Sequence, residues 1–232
     1  MAHDEDLAAG GIVRGALVLW GTQHPERGST FGSERQRLLY GGLHGFKWQA
    51  EHLGHRVWWG DVVYPDRADE DKKRLVYTSA PLETDLEITG SPVLTVEMSS
   101  TTSDGAFHAY LEDVSSEGRV TYVDEGILRA LDRKEVDPKS LPYEPLGPAH
   151  SFLRKDAEPL TPGEAARIRF ALYPTSVLLR KGHRIRVALA GADASAFQRY
   201  PAEGTPTWTV YREAQRASSI ELPVRGNRES SQ

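Results

Sequence analysis

Apolar and polar residues alternate with a period of two along most of the chain from Leu75 onward, and this pattern constrains the fold most strongly. Such alternation predicts β-strands with one buried face, because successive side chains of a strand point to opposite sides. In the segment "GAFHAYLEDV" one set of residues faces inward, and we expect the other set to be exposed. The inward residues are Phe107, Ala109 and Leu111, and the outward residues are His108, Tyr110 and Glu112.

Three further segments show the same alternation, and turn sequences such as "SSEGR", "TPGE" and "RKGH" separate the strands. Turns at this spacing are typical of an all-β sandwich, in which two antiparallel sheets pack face to face. We therefore predict about eight to ten strands in two sheets with Greek-key connections. The additional inward residues are Leu94, Val96 and Met98; Ile168, Phe170 and Leu172; and Ile185, Val187 and Leu189.

The chain divides into three parts by composition and residue pattern. Residues 1–61 are rich in Gly, His and Trp, and we predict an extension or linker whose order the sequence leaves open. This part holds a strand candidate at Ile12–Trp20 and a helix candidate at Ser33–Tyr40. Residues 62–225 form the predicted sandwich, and residues 226–232 form a predicted disordered tail.

Two segments interrupt the alternation. Tyr64–Arg74 is a charge run with a Pro-Asp turn signal, which predicts a solvated connector. Asp132–Glu164 carries six prolines, which favour an extended, polyproline-like loop that wraps the surface.

Composition excludes several functions. The net charge of −5 and the absence of a basic stripe argue against nucleic-acid binding. The chain has no cysteine, which excludes disulfides, thiolate metal sites and a cysteine nucleophile. The acidic N-terminal sequence lacks the features of an export signal, and the longest apolar stretch, Gly15–Gly21, is too short to span a membrane. We therefore expect a cytoplasmic protein that does not bind membranes.

Serine and histidine candidates for nucleophilic catalysis lack their partners. Ser195 in "GADASAF" has no second glycine of a G-x-S-x-G elbow, so a loop serine is the better interpretation. His24 follows a strand-like run but has no identifiable serine and acid, so we interpret it as a loop histidine. His183 begins a strand in "KGHRIRV", where a hydrogen bond from its side chain to the backbone is expected. We predict no catalytic residue.

Metal-binding patterns are equally incomplete. His44, His52 and His55 cluster in sequence, but no H-E-x-x-H motif surrounds them and a glycine weakens the helix that would align them. An acidic run lacks the glycine and the terminal glutamate of an EF-hand loop, so solvated surface is expected, with weak Ca²⁺ binding as the open alternative. Its members are Asp66, Asp69, Glu70 and Asp71.

Three carboxylates near the "SSEG" turn, Asp113, Asp124 and Glu125, could in principle act as an acid and a base. In strands joined by a tight turn, such residues are more often edge charges or turn acceptors, so we predict a structural role. The sequence "VDEGILRA" predicts a glycine-containing bend that starts the next strand.

Five motifs in a fixed order give the segment from Val62 to about Val224 a resemblance to a known family. They are "YTSAPL", "GSP", "AYLEDV" with a following "GR", "EGILRA" and "GHRIRV". Together they resemble the C-terminal domain of the X-Pro dipeptidyl-peptidase and cocaine esterase (CocE/NonD) hydrolases, over about two-thirds of the chain.

This resemblance implies a jelly-roll β-sandwich similar to galactose-binding modules, docked on an α/β-hydrolase domain that carries the catalytic Ser, Asp and His, and a helical cap. Such enzymes hydrolyse esters, acyl amides or X-Pro peptides without a cofactor. A hydrolase domain cannot fit into the first 61 residues. We therefore expect a non-catalytic chain: a piece of a longer protein, a separately encoded domain or the product of a truncated gene.

Three functions remain to be compared. The first is an accessory domain that docks on a hydrolase domain or mediates self-association. The second is a carbohydrate-binding or small-ligand-binding module with Trp208, Trp58 or Trp59 as an aromatic platform. The third is an enzyme that combines Ser195 with His24 or His183 and an aspartate. The sequence supports this third function least, because kinship of fold does not confer a site.

Overall fold

A computed structural model describes residues 65–193, 197–211 and 216–225, together with the backbone of two strands at 12–18 and 36–39. The strands are β1 (Ile12–Val18), β2 (Gln36–Leu39), β3 (Leu75–Thr78), β4 (Leu86–Gly90), β5 (Val93–Ser100), β6 (Ala106–Val114), β7 (Val120–Arg129), β8 (Ala166–Ala171), β9 (Thr175–Leu179), β10 (Arg184–Ala190), β11 (Thr207–Val210) and β12 (Ser219–Arg225). One short helix, α1 (Ala68–Asp71), precedes β3.

These strands form two antiparallel sheets. The small sheet has the order β3-β10-β6-β7, and the large sheet has the order β2-β11-β5-β12-β4-β9, with β1 paired to β12 and β8 paired to β5. The predicted all-β sandwich is confirmed. The likeness to galactose-binding modules stays a prediction.

In the large sheet, β4 and β5 lie end to end like one long strand with an interruption, and β9 and β8 do the same beside them. On one edge, Ile88 of β4 pairs with Val224 and Val93 of β5 pairs with Glu221, so β12 runs past both strands. On the other edge, β9 pairs with β4 and β8 pairs with β5. The break between β4 and β5 follows Gly90, which has a φ of 130°, and contains Pro92, which has no N–H to donate.

The core lies between the two sheets, and every residue predicted to face inward belongs to it. Phe107 occupies its centre, because its ring lies 5.0 Å from the ring of Trp208 and meets Phe170 edge to face at 6.4 Å. Aromatic contacts of this kind add to the stabilisation that burial of apolar area provides. The alternation therefore placed the core correctly.

The hairpin between β6 and β7 is confirmed at "SSEGR". The amide of Ser115 donates to the carbonyl of Arg119 at 2.9 Å, and Gly118 adopts a φ of 91°. The predicted bend at Gly126 is wrong, because β7 continues through it as one strand. A Cβ at Gly126 would lie 2.9 Å from the carbonyl oxygen of Ala171, so this glycine permits a close approach of the two sheets.

A bulge in the β6–β7 pair lies elsewhere. Leu111 pairs with Asp124 whereas Glu112 pairs with Tyr122, which leaves Val123 as the extra residue of β7. A bulge bends the strand that carries it and changes the direction of the neighbouring side chains.

Two strands from the predicted extension join the large sheet. β1 pairs along the whole of β12, from Ile12 opposite Arg225 to Val18 opposite Ser219, which confirms the strand candidate at Ile12. The helix candidate at Ser33–Tyr40 is wrong, because Gln36–Leu39 forms β2 and pairs with β11. An open strand edge offers hydrogen bonds that an isolated four-residue segment cannot make for itself. The division into residues 1–61, 62–225 and 226–232 stays a prediction.

The proline-rich crossover has neither strand nor α-helix, as predicted. It contains two short 3₁₀ turns, Pro138–Ser140 and Arg154–Asp156, and a third, Ala130–Asp132, leads into it. Backbone hydrogen bonds fasten it to the sandwich, among them the amide of Leu160 donating to the carbonyl of Ser103 at 2.8 Å.

Candidate functional site

Several sequence candidates lie outside the described residues: Ser195, His24, His44, His52, His55, Trp58 and Trp59. For the described histidines the structure gives a clear placement. His183 lies immediately before β10, and its Nδ1 is 2.9 Å from both carboxylate oxygens of Asp113 on β6. The expected bond from His183 to the backbone is therefore wrong, because a carboxylate on the neighbouring strand is the partner.

The His183–Asp113 pair has the geometry of a base and its orienting acid, but a nucleophile is needed as well. Among the described residues, no serine or threonine hydroxyl forms a hydrogen bond with the His183 imidazole. The pair therefore fastens β10 to β6 at the surface of the small sheet.

The other two carboxylates near the turn have different environments. Asp124 pairs opposite the inward residue Leu111 and is buried, so it is not an exposed edge charge, while its structural role stays a prediction. Burial, together with the neighbouring Glu125 carboxylate, raises the pKa of Asp124 to about 7, although the amide of Glu125 donates to it at 2.8 Å. Burial also raises the pKa of Glu125, which lies half-buried on the opposite face.

The outer face of the small sheet is covered rather than exposed. His108, Tyr110 and Glu112 lie on the face opposite the core, as predicted, but all three are buried. The cover is the charge run before β3, so the prediction of a solvated connector is wrong at Arg67, Asp71 and Arg74. Asp66 and Asp69 of the same run are exposed, as expected.

A buried ionic cluster joins the cover to the sheet. Arg67 Nε lies 2.8 Å from Glu112, and Arg74 lies 3.8 Å from the same carboxylate. Asp71 lies between Arg74 at 3.3 Å and Arg186 of β10 at 2.8 Å. Buried charges of opposite sign in contact offset part of the loss of hydration that each one suffers.

Tyr110 lies at the centre of this cluster. The guanidinium groups of Arg67 and Arg74 lie over its ring at 4.7 and 4.6 Å, and its hydroxyl donates to Asp193 at 2.6 Å. Cations over an aromatic face are attracted by the ring quadrupole, most strongly when water is excluded. Tyr110 therefore holds the segment before β3 and the loop after β10 on the same sheet.

The ionisation of the cluster follows its burial. Burial and the nearby Asp71 carboxylate raise the pKa of Glu112 to about 8, against the opposing effect of Arg67. Burial raises the pKa of the Tyr110 hydroxyl, and its hydrogen bond with Asp193 adds to this shift. Burial lowers the pKa of His108 to about 4, so its imidazole is neutral at pH 7.

A depression with no room for a water molecule lies beside the cluster. It is lined by His108, Tyr110, Glu125, Gly126, Ile127, Tyr173 and Phe197. Of the residues that line it, Tyr110 carries a hydroxyl in the buried cluster. This hydroxyl already donates a hydrogen bond to Asp193. With a raised pKa it is a poor nucleophile, so Tyr110 is not a candidate for covalent catalysis.

Other candidate chemistry finds no support in the described part of the chain. No group of three potential ligands there could hold a metal ion, which includes the described acidic run. Within the same residues, no helix has the length and apolar character needed to cross a bilayer.

Trp208 is not an aromatic platform. It is fully buried, with its ring against Phe107, and Gly105 leaves room for it because a Cβ there would overlap the indole. Surface aromatics occur elsewhere instead: Tyr143, Phe152, Tyr173 and Tyr200. Sequence alternation alone could not find these residues, because all four lie in loops or turns where no period applies.

Within its described residues the protein is a β-sandwich of two antiparallel sheets. The chain belongs to the X-Pro dipeptidyl-peptidase C-terminal non-catalytic domain family, whose model matches residues 20–221. The resemblance inferred from the sequence motifs is confirmed.

Curated relatives are considerably longer than this chain. A candidate serine esterase of Mycobacterium bovis is 53% identical over 165 residues, which cover 71% of this chain and 26% of the relative. A candidate Xaa-Pro dipeptidyl-peptidase of Streptomyces avermitilis is 30% identical over 158 residues, which cover 58% of this chain and 23% of the relative. The chain thus spans about a quarter of the length of the curated relatives it matches.

Solved structures share the fold. An aminopeptidase from a marine sediment Thaumarchaeota archaeon matches with a TM-score of 0.69 and 18% identity, over 91% of this chain and 37% of that one. A CocE/NonD family hydrolase from Staphylococcus aureus matches with a TM-score of 0.55 and 17% identity, over 84% of this chain and 37% of that one. In both, the sandwich corresponds to one part of a larger chain.

Proposed function

We propose that this chain is the accessory β-domain of a serine hydrolase, and that it docks on and stabilises an α/β-hydrolase domain. One observation carries the proposal: residues 20–221 match a domain family described as non-catalytic. The length of the relatives supports it, because about three-quarters of each lies outside the matched region. Their names favour an ester or an X-Pro peptide as the substrate of that hydrolase domain.

A domain graft tests this function directly. The matched 165-residue region of the Mycobacterium bovis relative is replaced by the corresponding region of this chain, which is conservative at 53% identity. We expect the graft to hydrolyse a p-nitrophenyl ester, and we expect a variant that simply lacks the region to lose activity or to unfold at lower temperature. A graft no better than the deletion would overturn the accessory role.

Two controls separate docking from catalysis by this chain itself. A graft that also carries Phe107→Ala has a cavity in the core of the sandwich, which destabilises such domains by about 3–5 kcal/mol, and it should behave like the deletion. The 232-residue chain alone should take no label from a serine-reactive fluorophosphonate. A single labelled serine would refute the non-catalytic role.

The ligand-binding alternative rests on fewer residues now that Trp208 is buried. Affinity electrophoresis on a panel of polysaccharides tests it, and retardation by one of them would favour a binding module over the accessory role. Self-association and a cytoplasmic location, both expected from the sequence, stay predictions that size exclusion and cell fractionation can check.

A further inference from the structure

The crossover between β7 and β8 presents apolar side chains to solvent at one turn, Ser151–Asp156, which we call the Phe152 turn. Phe152 is 62% exposed and Leu153 is 52% exposed. Two more apolar residues of the same crossover, Tyr143 and Leu146, are similarly exposed. A concentration of large apolar residues in one surface loop marks an interaction site more often than isolated exposed residues do.

The backbone at Phe152 is strained. Its φ of 54° lies in the left-handed region, where the Cβ of a bulky residue approaches the following carbonyl oxygen. Burial of the ring does not offset this strain, because most of the ring is in solvent. Because contacts within the domain do not offset this strain, the strain indicates a function of the side chain outside the domain.

The turn is held rigidly in this conformation. The Ser151 hydroxyl donates to Asp156 at 2.8 Å and accepts from the amide of Leu153 at 3.2 Å, and Lys134 lies 3.2 Å from Asp156. These bonds to Ser151 and Lys134 lower the pKa of Asp156, which therefore stays ionised. A surface held in its bound shape loses little conformational entropy on docking.

A buried histidine anchors the base of the turn. The His150 imidazole lies 3.1 Å from the carbonyl oxygen of Lys134 and 2.9 Å from that of Arg169 on β8, and its ring faces that of Phe152 at 6.0 Å. The position of the Phe152 ring is thus coupled to the large sheet.

The charge around the turn indicates what it meets. Arg154 and Lys155 follow Leu153 directly, are exposed, and form no ion pair with any residue of the described part. Apolar side chains next to two free cations match an apolar pocket with carboxylates at its rim. The length of the relatives indicates what the turn binds, because in them this domain is joined to about three times its own length of further chain.

We propose that the Phe152 turn is the anchor by which this domain docks on the hydrolase domain, with Phe152 and Leu153 in an apolar pocket and Arg154 and Lys155 on acidic residues at its rim. This inference rests on the proposed accessory function and identifies the surface that performs it.

The test uses the active graft described above, with p-benzoylphenylalanine at position 152. Ultraviolet light should cross-link the turn to a peptide of the hydrolase part in the same molecule. The matched control places the probe at Leu178 on β9, which is 46% exposed and apolar but lies outside the crossover, and it should give no such cross-link.

A pair of variants measures the contribution to docking. Phe152→Ser with Leu153→Ser should speed heat inactivation of the graft by roughly tenfold, as loss of interface anchors does, whereas Leu178→Ser should not. The same substitutions should leave the melting temperature of the 232-residue chain unchanged or raised, which separates docking from folding.

The other possible results reject either the accessory function or the docking surface. An inactive unmodified graft would overturn the accessory function and this surface with it. An active graft in which position 152 cross-links no hydrolase peptide, and in which the double variant has no effect, would overturn the surface alone. Cross-links to a second copy, or to residues 1–64 of this chain, would assign the turn to another occupant and likewise reject the proposal.

Discussion

Arg67 and Glu112 form an ion pair of 2.8 Å that is closed off from solvent, between the segment before β3 and the outer face of the small sheet. Removal of Arg67 leaves the buried Glu112 carboxyl without this partner and leaves a void where the guanidinium lay, so Arg67→Ala should lower the free energy of unfolding by about 3 kcal/mol. Urea denaturation at pH 7 measures this change. The control is Lys72→Ala, which removes a solvent-exposed pair with Asp69 and should leave stability nearly unchanged. Equal effects of the two variants would contradict a structural role for the cluster.

Asp124 should make stability depend on pH. Its pKa is about 7 in the folded chain and near 3.8 in the unfolded chain, so the folded state binds the proton more tightly. Its contribution is complete below pH 4, decreases as the pH rises towards 7, and is lost above that value. Asp124→Asn should therefore gain roughly 2–4 kcal/mol relative to the natural chain between pH 4 and pH 8. Urea midpoints across this range measure the gain.

Glu112 has a raised pKa as well and contributes a pH dependence of the same sign. The Asp124→Asn variant should thus keep a weaker loss of stability at high pH. A variant whose pH profile runs parallel to that of the natural chain would show that Asp124 is ionised at pH 7.

Gly105 makes room for the Trp208 ring, and this predicts a steric effect. Gly105→Ala should destabilise the chain by about 1–3 kcal/mol, because its Cβ overlaps the indole in a close-packed core. The fluorescence maximum of the variant should shift to the red as the packing of Trp208 loosens.

The comparison for this prediction is Gly163→Ala. Gly163 has a φ of 83° but open space around its Cα, so alanine there should cost only about 1 kcal/mol and leave the emission spectrum unchanged. If both variants have the same spectrum, the packing against Gly105 is not as described.

Phe152 gives a prediction of opposite sign. Phe152→Gly relieves the left-handed strain and should raise the free energy of unfolding of the 232-residue chain by about 1 kcal/mol, as chemical denaturation can measure. Leu153 has an ordinary backbone with a φ of −91°, so Leu153→Gly should lower stability slightly. A loss of more than about 1 kcal/mol in Phe152→Gly would indicate that the ring stabilises the fold.

The inward residues were predictable because a strand has a strict period of two, which sorts side chains onto faces. The period does not tell whether the second face is covered. Glu112 was assigned to the correct face and the wrong environment, because its partner Arg67 lies 45 residues earlier in a run that reads as solvated. A signal was present: Arg67, Asp71 and Arg74 recur at helical spacing and share one side of the segment.

The Phe152 turn was beyond sequence reasoning for a different reason. The proline-rich composition predicted an extended loop, which the structure has, but exposure of one aromatic residue depends on a left-handed backbone and on bonds from Ser151 and His150. The bonds of His150 reach Lys134 and Arg169, which are distant in sequence, so no local propensity encodes them. For the same reason, the hydrogen bond between His183 and Asp113 could not be read from either segment alone.

β12 has a consequence for how the domain is made. It is the last strand in the described part of the chain and lies inside the large sheet, with β1 along one edge and β4 and β5 along the other. During synthesis β1 cannot join that sheet until residues 219–225 have left the ribosome. Ribosomes that stall before this point should therefore hold open, aggregation-prone strand edges, and chaperones should act on this domain late in translation.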